Sequence, residues 1–184
     1  MFTFAPMQEV IVHGRVFEPY LTEETIEQAV SNVADQLNQD YKNQKINFVA
    51  VLNGSFMFCS DLLKKIKLDC EISFVKLTSY EGTSSTGKVQ ELIGLQQDVS
   101  ETHVVLVEDI VDTGNTLEKL HEIFEGKNLA SLKIATLLYK PSAYKKNLPI
   151  DYIGKEIPNE FVLGYGLDYD GLGRNLASIY KLKA

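Results

Sequence analysis

The sequence predicts an α/β fold in which a mainly parallel, twisted sheet is flanked by helices. Short apolar runs, which are typical of strands buried on both faces of a sheet, alternate along the chain with helical patterns. Strands that alternate with helices form βαβ units, whose strands lie parallel. With 184 residues, 45% of them hydrophobic, the chain can build one core that hides roughly 70% of the unfolded surface, so we expect one domain.

The first strong helical pattern follows Pro19. Thr22 can cap this helix, and its apolar stripe is predicted to face the core. The next element is an apolar strand that enters a turn at Asn53-Gly54-Ser55 and is followed by a helix. The predicted strands are 46–52, 71–77, 103–108 and 132–139, and the later helices are 56–66 and about 115–124. Residues 78–88 read as a polar loop, and 89–100 as a weak helical pattern.

Composition argues against several classes of protein. The chain has 18 basic and 25 acidic residues, a net charge of −7, which opposes nonspecific binding to nucleic acid or anionic membranes. Its two cysteines form no C-x-x-C motif, as expected in a reducing compartment, and its three histidines lack the spacing of a zinc site. No signal peptide and no apolar run of roughly 18 residues is apparent, so we expect a cytoplasmic protein.

In open α/β sheets, ligands bind beyond the carboxyl ends of the strands. The polar residues that directly follow the predicted strands are therefore the candidate binding residues. They are Asn53-Gly54-Ser55, Ser79-Tyr80, Glu108 to Thr116, and Lys140.

The segment from Glu108 to Thr116 has the features of a site for a phosphorylated sugar. Gly114 lets the backbone approach a ligand closely, and the amides from Thr113 to Thr116 open a helix and can bind an anion together with the threonine hydroxyls. Glu108 and Asp109 can accept hydrogen bonds from sugar hydroxyls or bind Mg²⁺. Asp112, which has neither of these roles, is expected to lie close to the group attached to the sugar.

These residues carry a family resemblance. VVLVEDIVDTGNTL (104–117) resembles the phosphoribosyl-diphosphate signature of type I phosphoribosyltransferases. LNGSFMF, the Ser-Tyr pair, LLYKP and FVLGYGLDYDGLGRN extend the resemblance over nearly the whole chain, to the hypoxanthine-guanine branch. The resemblance implies a core at about 20–145 and a small hood formed by the N-terminal segment and about 150–184. It also implies a homodimer or homotetramer.

The resemblance further implies purine salvage with Mg²⁺ as cofactor. A 5-phosphoribosyl group would pass from phosphoribosyl diphosphate to N9 of hypoxanthine or guanine, giving IMP or GMP and diphosphate. The turn after Ile110, from Asp112 to Thr116 and including Asn115, would hold the 5-phosphate, while Glu108 and Asp109 would bind the ribose hydroxyls directly or through the metal. Asp112 would be the general base toward N7 of the purine.

The remaining site residues are implied in the same way. Lys140 has only donors, which match a carbonyl at C6 of the purine. Phe161 would stack on the ring, with the Val162 backbone at its edge. Asp168 would lie near the metal and the 2-position, and Arg174 would reach the diphosphate. The loop at Ser79-Tyr80 would close over the site, beside the backbone of Asn53 and Gly54.

Two departures from the family pattern concern this site. Asn53 stands where many relatives carry Lys or Arg, so the charge that such a side chain brings to diphosphate binding or to a subunit contact is missing. Gly173 stands before Arg174, where relatives often have an aromatic residue.

Other interpretations remain open at this point. The three acids could be a solvated strand end, Lys140 a surface lysine, Phe161 a core residue, Asn53-Gly54 an ordinary turn and Asp168 a turn cap. A regulator that binds RNA on the same fold is an alternative that the acidic balance disfavours. Residues 82–88 match the first seven positions of a Walker A loop, but Val89 stands where a Ser or Thr should bind Mg²⁺.

Overall fold

The computed structural model describes residues 8–78, 90–93 and 98–183. Within these ranges it contains three helices and ten strands. The helices are α1 (Glu23–Asp40), α2 (Phe56–Leu63) and α3 (Asn115–Phe124). The strands are β1 (Val10–Val12), β2 (Arg15–Leu21), β3 (Ile46–Val51), β4 (Cys70–Thr78), β5 (Gln90–Ile93), β6 (His103–Val111), β7 (Ser131–Tyr139), β8 (Tyr152–Glu156), β9 (Val162–Leu163) and β10 (Ile179–Leu182).

The larger sheet confirms the predicted fold class. Its strand order is β5-β4-β3-β6-β7-β8. All neighbouring pairs are parallel except β4 with β5, which is antiparallel. The central strand β3 is buried throughout, as its uninterrupted apolar sequence predicts.

Helices cover both faces of this sheet. Phe48 and Ala50 of β3 belong to a core cluster with α1 and α2, whereas Val49 and Val51 belong to a second cluster with α3. This division follows from the alternation of side chains along a strand. The predicted cap is present, because the Thr22 hydroxyl accepts a hydrogen bond from the Thr25 amide at 3.2 Å.

The smaller sheet joins the two ends of the chain. Its order is β1-β2-β10-β9, and its pairs are antiparallel. Phe17 and Leu163 are fully buried in its own small core. We call this sheet, with the loop between β9 and β10, the hood.

Several elements differ from those that the sequence predicts. No element was predicted at Gln90–Ile93, where the sequence matches a helix only weakly, and the segment pairs with β4 as β5. The β1–β2 hairpin, β8, β9 and β10 were not predicted. β8 lies in the larger sheet, so of the segment 150–184 only β9 and β10 contribute strands to the smaller sheet. No helix among the described residues is long and apolar enough to span a membrane.

Candidate active site

Three adjacent parallel strands bring most of the predicted site residues to one edge of the larger sheet. β3 leads into Gly54, β6 into Asp112, and β7 into Lys140. The Lys140 amide donates to the Val111 carbonyl at 3.0 Å, which fixes the end of β7 beside the end of β6. The predicted residues assembled at this edge are Gly54, Glu108, Asp109, Ile110, Asp112, Thr113, Gly114, Asn115, Thr116 and Lys140.

β6 is longer than predicted. It continues to Val111 rather than ending at Glu108, because Ile110 and Val111 pair with Leu138 and Tyr139 of β7. Glu108 and Asp109 therefore lie within the strand. Their positions are fixed by the backbone ladder of the sheet rather than by a loop.

The predicted phosphate turn encloses a small cavity. Residues 110–117, together with Glu108, surround a volume of about 80 Å³, several times what one water molecule requires. Gly114 has φ = +85° and directly precedes α3. A Cβ atom at this position would lie 2.5 Å from the Tyr144 ring. The turn therefore depends on glycine, and the first amides of α3 are available to an anion at the positive end of the helix.

Burial governs the electrostatics of Glu108 and Asp109. The Asp109 residue is half-buried, but its carboxyl group is enclosed. Burial raises the pKa of Asp109 to about 6, although the Ile110 amide, which donates to Oδ1 at 2.9 Å, and the charge of Arg174 act in the opposite direction. Burial also raises the pKa of Glu108 well above its usual range, and the charge of Asp109 adds to this effect.

Close packing fixes Asp109 against the turn that follows β3. A Cβ atom on Gly54 would lie 1.6 Å from Asp109 Oδ2, and one on Gly166 of the hood would lie 2.0 Å from the Gly54 carbonyl oxygen. Neither glycine can therefore be replaced without displacing a neighbour. This contact connects the hood to the sheet edge.

The donor set at this edge fits Mg²⁺. The pKa values of two adjacent carboxyl groups stay raised by burial although the charge of Arg174 acts on Asp109, and a divalent cation would supply the further positive charge. Mg²⁺ commonly binds through one or two carboxylates and substrate phosphates. Glu108 and Asp109 are the residues that would hold it. Among the described residues, no group of three or more acidic, histidine or cysteine side chains is placed for a metal. Asp168, the third predicted ligand, is not part of such a group.

Asp112 and Lys140 form an ion pair. Lys140 Nζ donates to Asp112 Oδ2 at 2.7 Å. The Lys140 side chain is 8% exposed and that of Asp112 is 44% exposed. A buried cation and a more accessible carboxylate thus lie side by side at the rim of the phosphate turn.

The predicted stacking residue, Phe161, lies in the hood. Its ring is 47% exposed, and it lies edge-on to the Tyr169 ring with centroids 5.5 Å apart. The Phe161 carbonyl accepts from the Leu182 amide at 2.9 Å, and Val162 begins β9 opposite Lys181. Phe161 is therefore an accessible aromatic face on a hydrogen-bonded strand end.

Asp168 and Arg174 bind each other. Arg174 forms an ion pair with Asp168 Oδ1 at 2.5 Å, and it also donates to the Gly166 carbonyl at 2.7 Å. Asp168 Oδ2 accepts from the Gly171 amide at 2.7 Å. The charges of both residues act on Asp109, so both lie near Glu108 and Asp109, which we call the acid pair. Contact of Arg174 with diphosphate stays a prediction.

The remaining predicted residues lie at the border of the described structure. Ser79 and Tyr80 are outside the described residues. Asn53 is exposed, and its side-chain oxygen accepts from Lys76 Nζ at 3.2 Å. A lysine of β4 thus supplies positive charge next to the position where relatives often carry Lys or Arg.

A second cavity adjoins the phosphate turn and contains a residue that the sequence analysis missed. It measures about 230 Å³, and Gly54, Glu108, Asp109, Thr116 and Lys119 are among the residues that line it. Lys119 follows Thr116 by three residues on α3, a spacing that places both on the same side of a helix. This spacing could have identified Lys119 as a candidate site residue from the sequence.

Comparison with known proteins agrees with this geometry. A family model described as phosphoribosyl transferase domain matches residues 18–170. The hypoxanthine-guanine phosphoribosyltransferase of Staphylococcus aureus (strain Mu50 / ATCC 700699) is 42% identical, over 94% of this chain and 97% of that protein.

Solved structures give the same result. A crystal structure of a hypoxanthine-guanine phosphoribosyltransferase from Bacillus anthracis superposes with a TM-score of 0.84 at 38% identity, covering 90% of this chain and 98% of the other. The hypoxanthine phosphoribosyl transferase of Trypanosoma cruzi superposes with a TM-score of 0.86 at 33% identity, covering 97% and 95%. The chain therefore belongs to the phosphoribosyltransferase family, in its hypoxanthine-guanine branch.

Proposed function

We propose that this protein is a purine salvage enzyme that transfers the 5-phosphoribosyl group of phosphoribosyl diphosphate to N9 of hypoxanthine or guanine. The products are IMP or GMP and diphosphate. The observation that carries this proposal is the Lys140–Asp112 ion pair at 2.7 Å, beside a turn built for an anion. This pair offers a donor to O6 of a purine and an acceptor for its proton next to the place where a phosphorylated sugar would bind.

The acid pair in β6 stabilises the ribose during the reaction. When the bond between C1 of the ribose and diphosphate breaks, positive charge develops on the sugar ring, as in glycoside hydrolysis. Carboxylates fixed in a site of low dielectric stabilise that charge without reorganisation. Glu108 and Asp109 are fixed in this way by the sheet ladder and by the close contact with Gly54. They also accept hydrogen bonds from the vicinal hydroxyls.

Asp112 and Lys140 interact with the purine base. N9 of the purine bonds to C1 as the bond to diphosphate breaks, and the purine then loses the proton on N7. The Asp112 carboxylate, 44% exposed, accepts that proton. Lys140 has three donors, so it can bind O6 while it retains Asp112, which aligns the base with the proton acceptor. An amino group at C6 presents donors to the same ammonium and is disfavoured.

Mg²⁺, bound by Glu108 and Asp109, would neutralise the negative charge of the departing diphosphate. The hood would supply the other contacts to the base. Phe161 stacks on its face, and Val162 meets its edge with the backbone. Asp168 and Arg174 would extend the site toward the metal and the diphosphate, and the loop at Ser79 and Tyr80, outside the described residues, would close over it. We expect the enzyme to act as a homodimer or homotetramer.

The direct test is a panel of purine bases. Phosphoribosyl diphosphate and Mg²⁺ are supplied with hypoxanthine, guanine, xanthine or adenine, and both nucleotide and diphosphate are measured. We expect turnover with hypoxanthine and guanine and little with adenine. Absence of turnover with both hypoxanthine and guanine contradicts the proposal.

The role of Lys140 is tested by the Lys140→Ala variant. We expect its preference for hypoxanthine over adenine, as the ratio of kcat/KM values, to fall by roughly tenfold or more, since a hydrogen bond to a charged group is lost. Lys145→Ala, which removes a nearby exposed lysine, serves as the control. An unchanged preference in Lys140→Ala contradicts its assignment to O6.

A further inference from the structure

The cavity of about 230 Å³ next to the phosphate turn is separate from the cavity that would take the 5-phosphate. It shares Glu108 and Thr116 with the smaller cavity inside the turn. Glu108 thus lies between the two cavities, and Asp109 lines the larger one. Phosphoribosyl diphosphate has a matching shape, because its ribose carries a phosphate at one end and a diphosphate at the other.

The larger cavity suits the diphosphate end. If the turn binds the 5-phosphate and the acid pair binds the ribose, the diphosphate must extend away from the turn, toward the residues that follow β3. Leu52 and Gly54 line the larger cavity there, and Leu77 at the end of β4 forms another wall. Its volume is nearly three times that of the cavity in the turn.

The charges around this cavity favour a cation from the protein in addition to Mg²⁺. Glu108 and Asp109 line it and repel a polyanion, and Lys119 is the basic residue among those that line it. Arg174, the predicted diphosphate ligand, is bound to Asp168 and Gly166. Lys76 is bound to Asn53 and is not among the residues that line the cavity.

Lys119 is available for a ligand. Its neighbour Glu118 pairs with Lys146 at 2.7 Å. Within the described ranges, no carboxylate forms an ion pair with Lys119. Helix α3 holds Lys119 one turn beyond Thr116, on the side that faces the cavity. Its ammonium group therefore has no competing partner in this part of the molecule.

We propose that Lys119 binds the diphosphate group of phosphoribosyl diphosphate, and of the released product, in the 230 Å³ cavity. This inference rests on the proposed function and adds a substrate-binding residue to it. Lys119 thus supplies, from α3, positive charge at the end of the ligand where the exposed Asn53 carries none.

The experiment compares Lys119→Gln with the wild type in two measurements. Calorimetric titration with diphosphate and Mg²⁺ gives the Kd for diphosphate, and steady-state kinetics gives the KM for each substrate. In Lys119→Gln we expect the diphosphate Kd and the phosphoribosyl diphosphate KM to rise by roughly tenfold or more, because a charge-assisted hydrogen bond is lost. The KM for hypoxanthine should stay within about twofold.

Two further variants sharpen the result. Lys119→Arg should retain diphosphate affinity within a few-fold, because arginine also binds phosphate oxygens. Lys42→Gln removes the same charge from the exposed turn after α1 and should leave both constants unchanged. The inference is overturned if Lys119→Gln binds diphosphate like the wild type, if the wild type itself does not bind it, or if the hypoxanthine KM rises as much as that for phosphoribosyl diphosphate. Diphosphate binding is measured without turnover, so it tests Lys119 independently of the base panel.

Discussion

The site is built from two regions that hold their side chains in different ways. At the edge of the larger sheet, one segment of chain supplies the acid pair, Asp112 and the phosphate turn, and the parallel ladder of β6 with β7 fixes its backbone. In the hood, Phe161 depends on aromatic rings from two other segments, one near it in sequence and one distant. Its ring lies 6.1 Å from Phe17 and 5.5 Å from Tyr169, measured between centroids.

The difference follows from what each region has to do. Charge stabilisation needs groups fixed before the ligand arrives, and a buried parallel sheet provides that rigidity at the cost of burying two carboxyl groups. Stacking on a planar base needs an accessible aromatic face, and a small antiparallel sheet at the surface provides it. Substitutions at the sheet edge should therefore act on catalysis, and those in the hood on affinity for the base.

The largest effect is expected for Asp112→Asn. The amide cannot accept the N7 proton as a carboxylate does, so kcat should fall on the order of 10² to 10⁴-fold. The KM for phosphoribosyl diphosphate should stay within a few-fold, because the backbone of the phosphate turn is unchanged. Steady-state kinetics with hypoxanthine measures both. Normal turnover in this variant contradicts the assignment of Asp112 as the base.

The buried acid pair should make stability depend on pH. Asp109 has a pKa of about 6 in the folded chain against an ordinary value of 3.8, so between these values the folded state binds more protons than the unfolded state. Stability attributable to this group is therefore present at low pH and is lost as pH rises through 6. At about 1.4 kcal/mol for each tenfold change in proton affinity, the loss is about 3 kcal/mol.

Urea unfolding of the wild type and Asp109→Asn between pH 4 and 7 measures this effect. The asparagine variant should show a smaller loss of stability with rising pH than the wild type. Mg²⁺ should stabilise the wild type more at pH 7 than at pH 5, since protons compete with the metal for the carboxyl groups. If the two proteins show the same pH dependence, burial does not raise the pKa of Asp109 as described.

The contact between the two regions is tested by two glycines of the hood. Both have positive φ, +98° at Gly166 and +85° at Gly171, so alanine is strained at both. Only at Gly166 would the added Cβ meet a neighbour, 2.0 Å from the Gly54 carbonyl oxygen, whereas nothing lies within 4 Å at Gly171. Overpacking should make Gly166→Ala less stable than Gly171→Ala by about 1 to 3 kcal/mol.

Urea unfolding gives the difference in stability between these variants, and kinetics gives the KM for phosphoribosyl diphosphate. That KM should rise in Gly166→Ala alone, because Gly54 lines the cavity assigned to diphosphate. Equal stability and equal KM values in the two variants would contradict this, because the contact between Gly166 and Gly54 would then contribute neither to stability nor to substrate binding.

The sequence predicts more of the sheet edge than of the hood, because the site residues of the sheet edge are contiguous in sequence. The acids and the turn are contiguous, so the pattern of one strand, one glycine and one helix start was enough to place them. The ion pair of Asp168 with Arg174 lies within one loop, but it depends on an irregular backbone with positive φ at Asp170, Gly171 and Gly173, which no helix or strand pattern encodes. The packing of Phe161 on Phe17 joins segments distant in sequence, which no local pattern encodes either. β5 was missed because the glutamines and glutamate at 90–97 do not favour a strand, whereas pairing at a sheet edge decides the outcome.

The smallest effect is expected for Tyr169, which holds Phe161 in place. The Tyr169 ring lies edge-on to Phe161 and to His13, and the Arg15 guanidinium lies 5.6 Å above it. An aromatic pair contributes about 0.5 to 1.5 kcal/mol beyond burial. Tyr169→Leu should therefore raise the KM for hypoxanthine by roughly 2 to 10-fold and leave that for phosphoribosyl diphosphate unchanged.

Tyr169→Phe keeps the ring and is the matched control, with KM values expected to equal those of the wild type. The chain contains no tryptophan, so Phe161→Trp adds a single fluorescent reporter at the stacking position. Its emission should be quenched by IMP, and less strongly when Tyr169→Leu is combined with it, because the ring is then free to leave its stacked orientation. If Tyr169→Leu changes neither the hypoxanthine KM nor this quenching, Phe161 is held by β9 and Phe17 without help from Tyr169. Backbone pairing would then fix the side chain in the hood, as it does at the sheet edge.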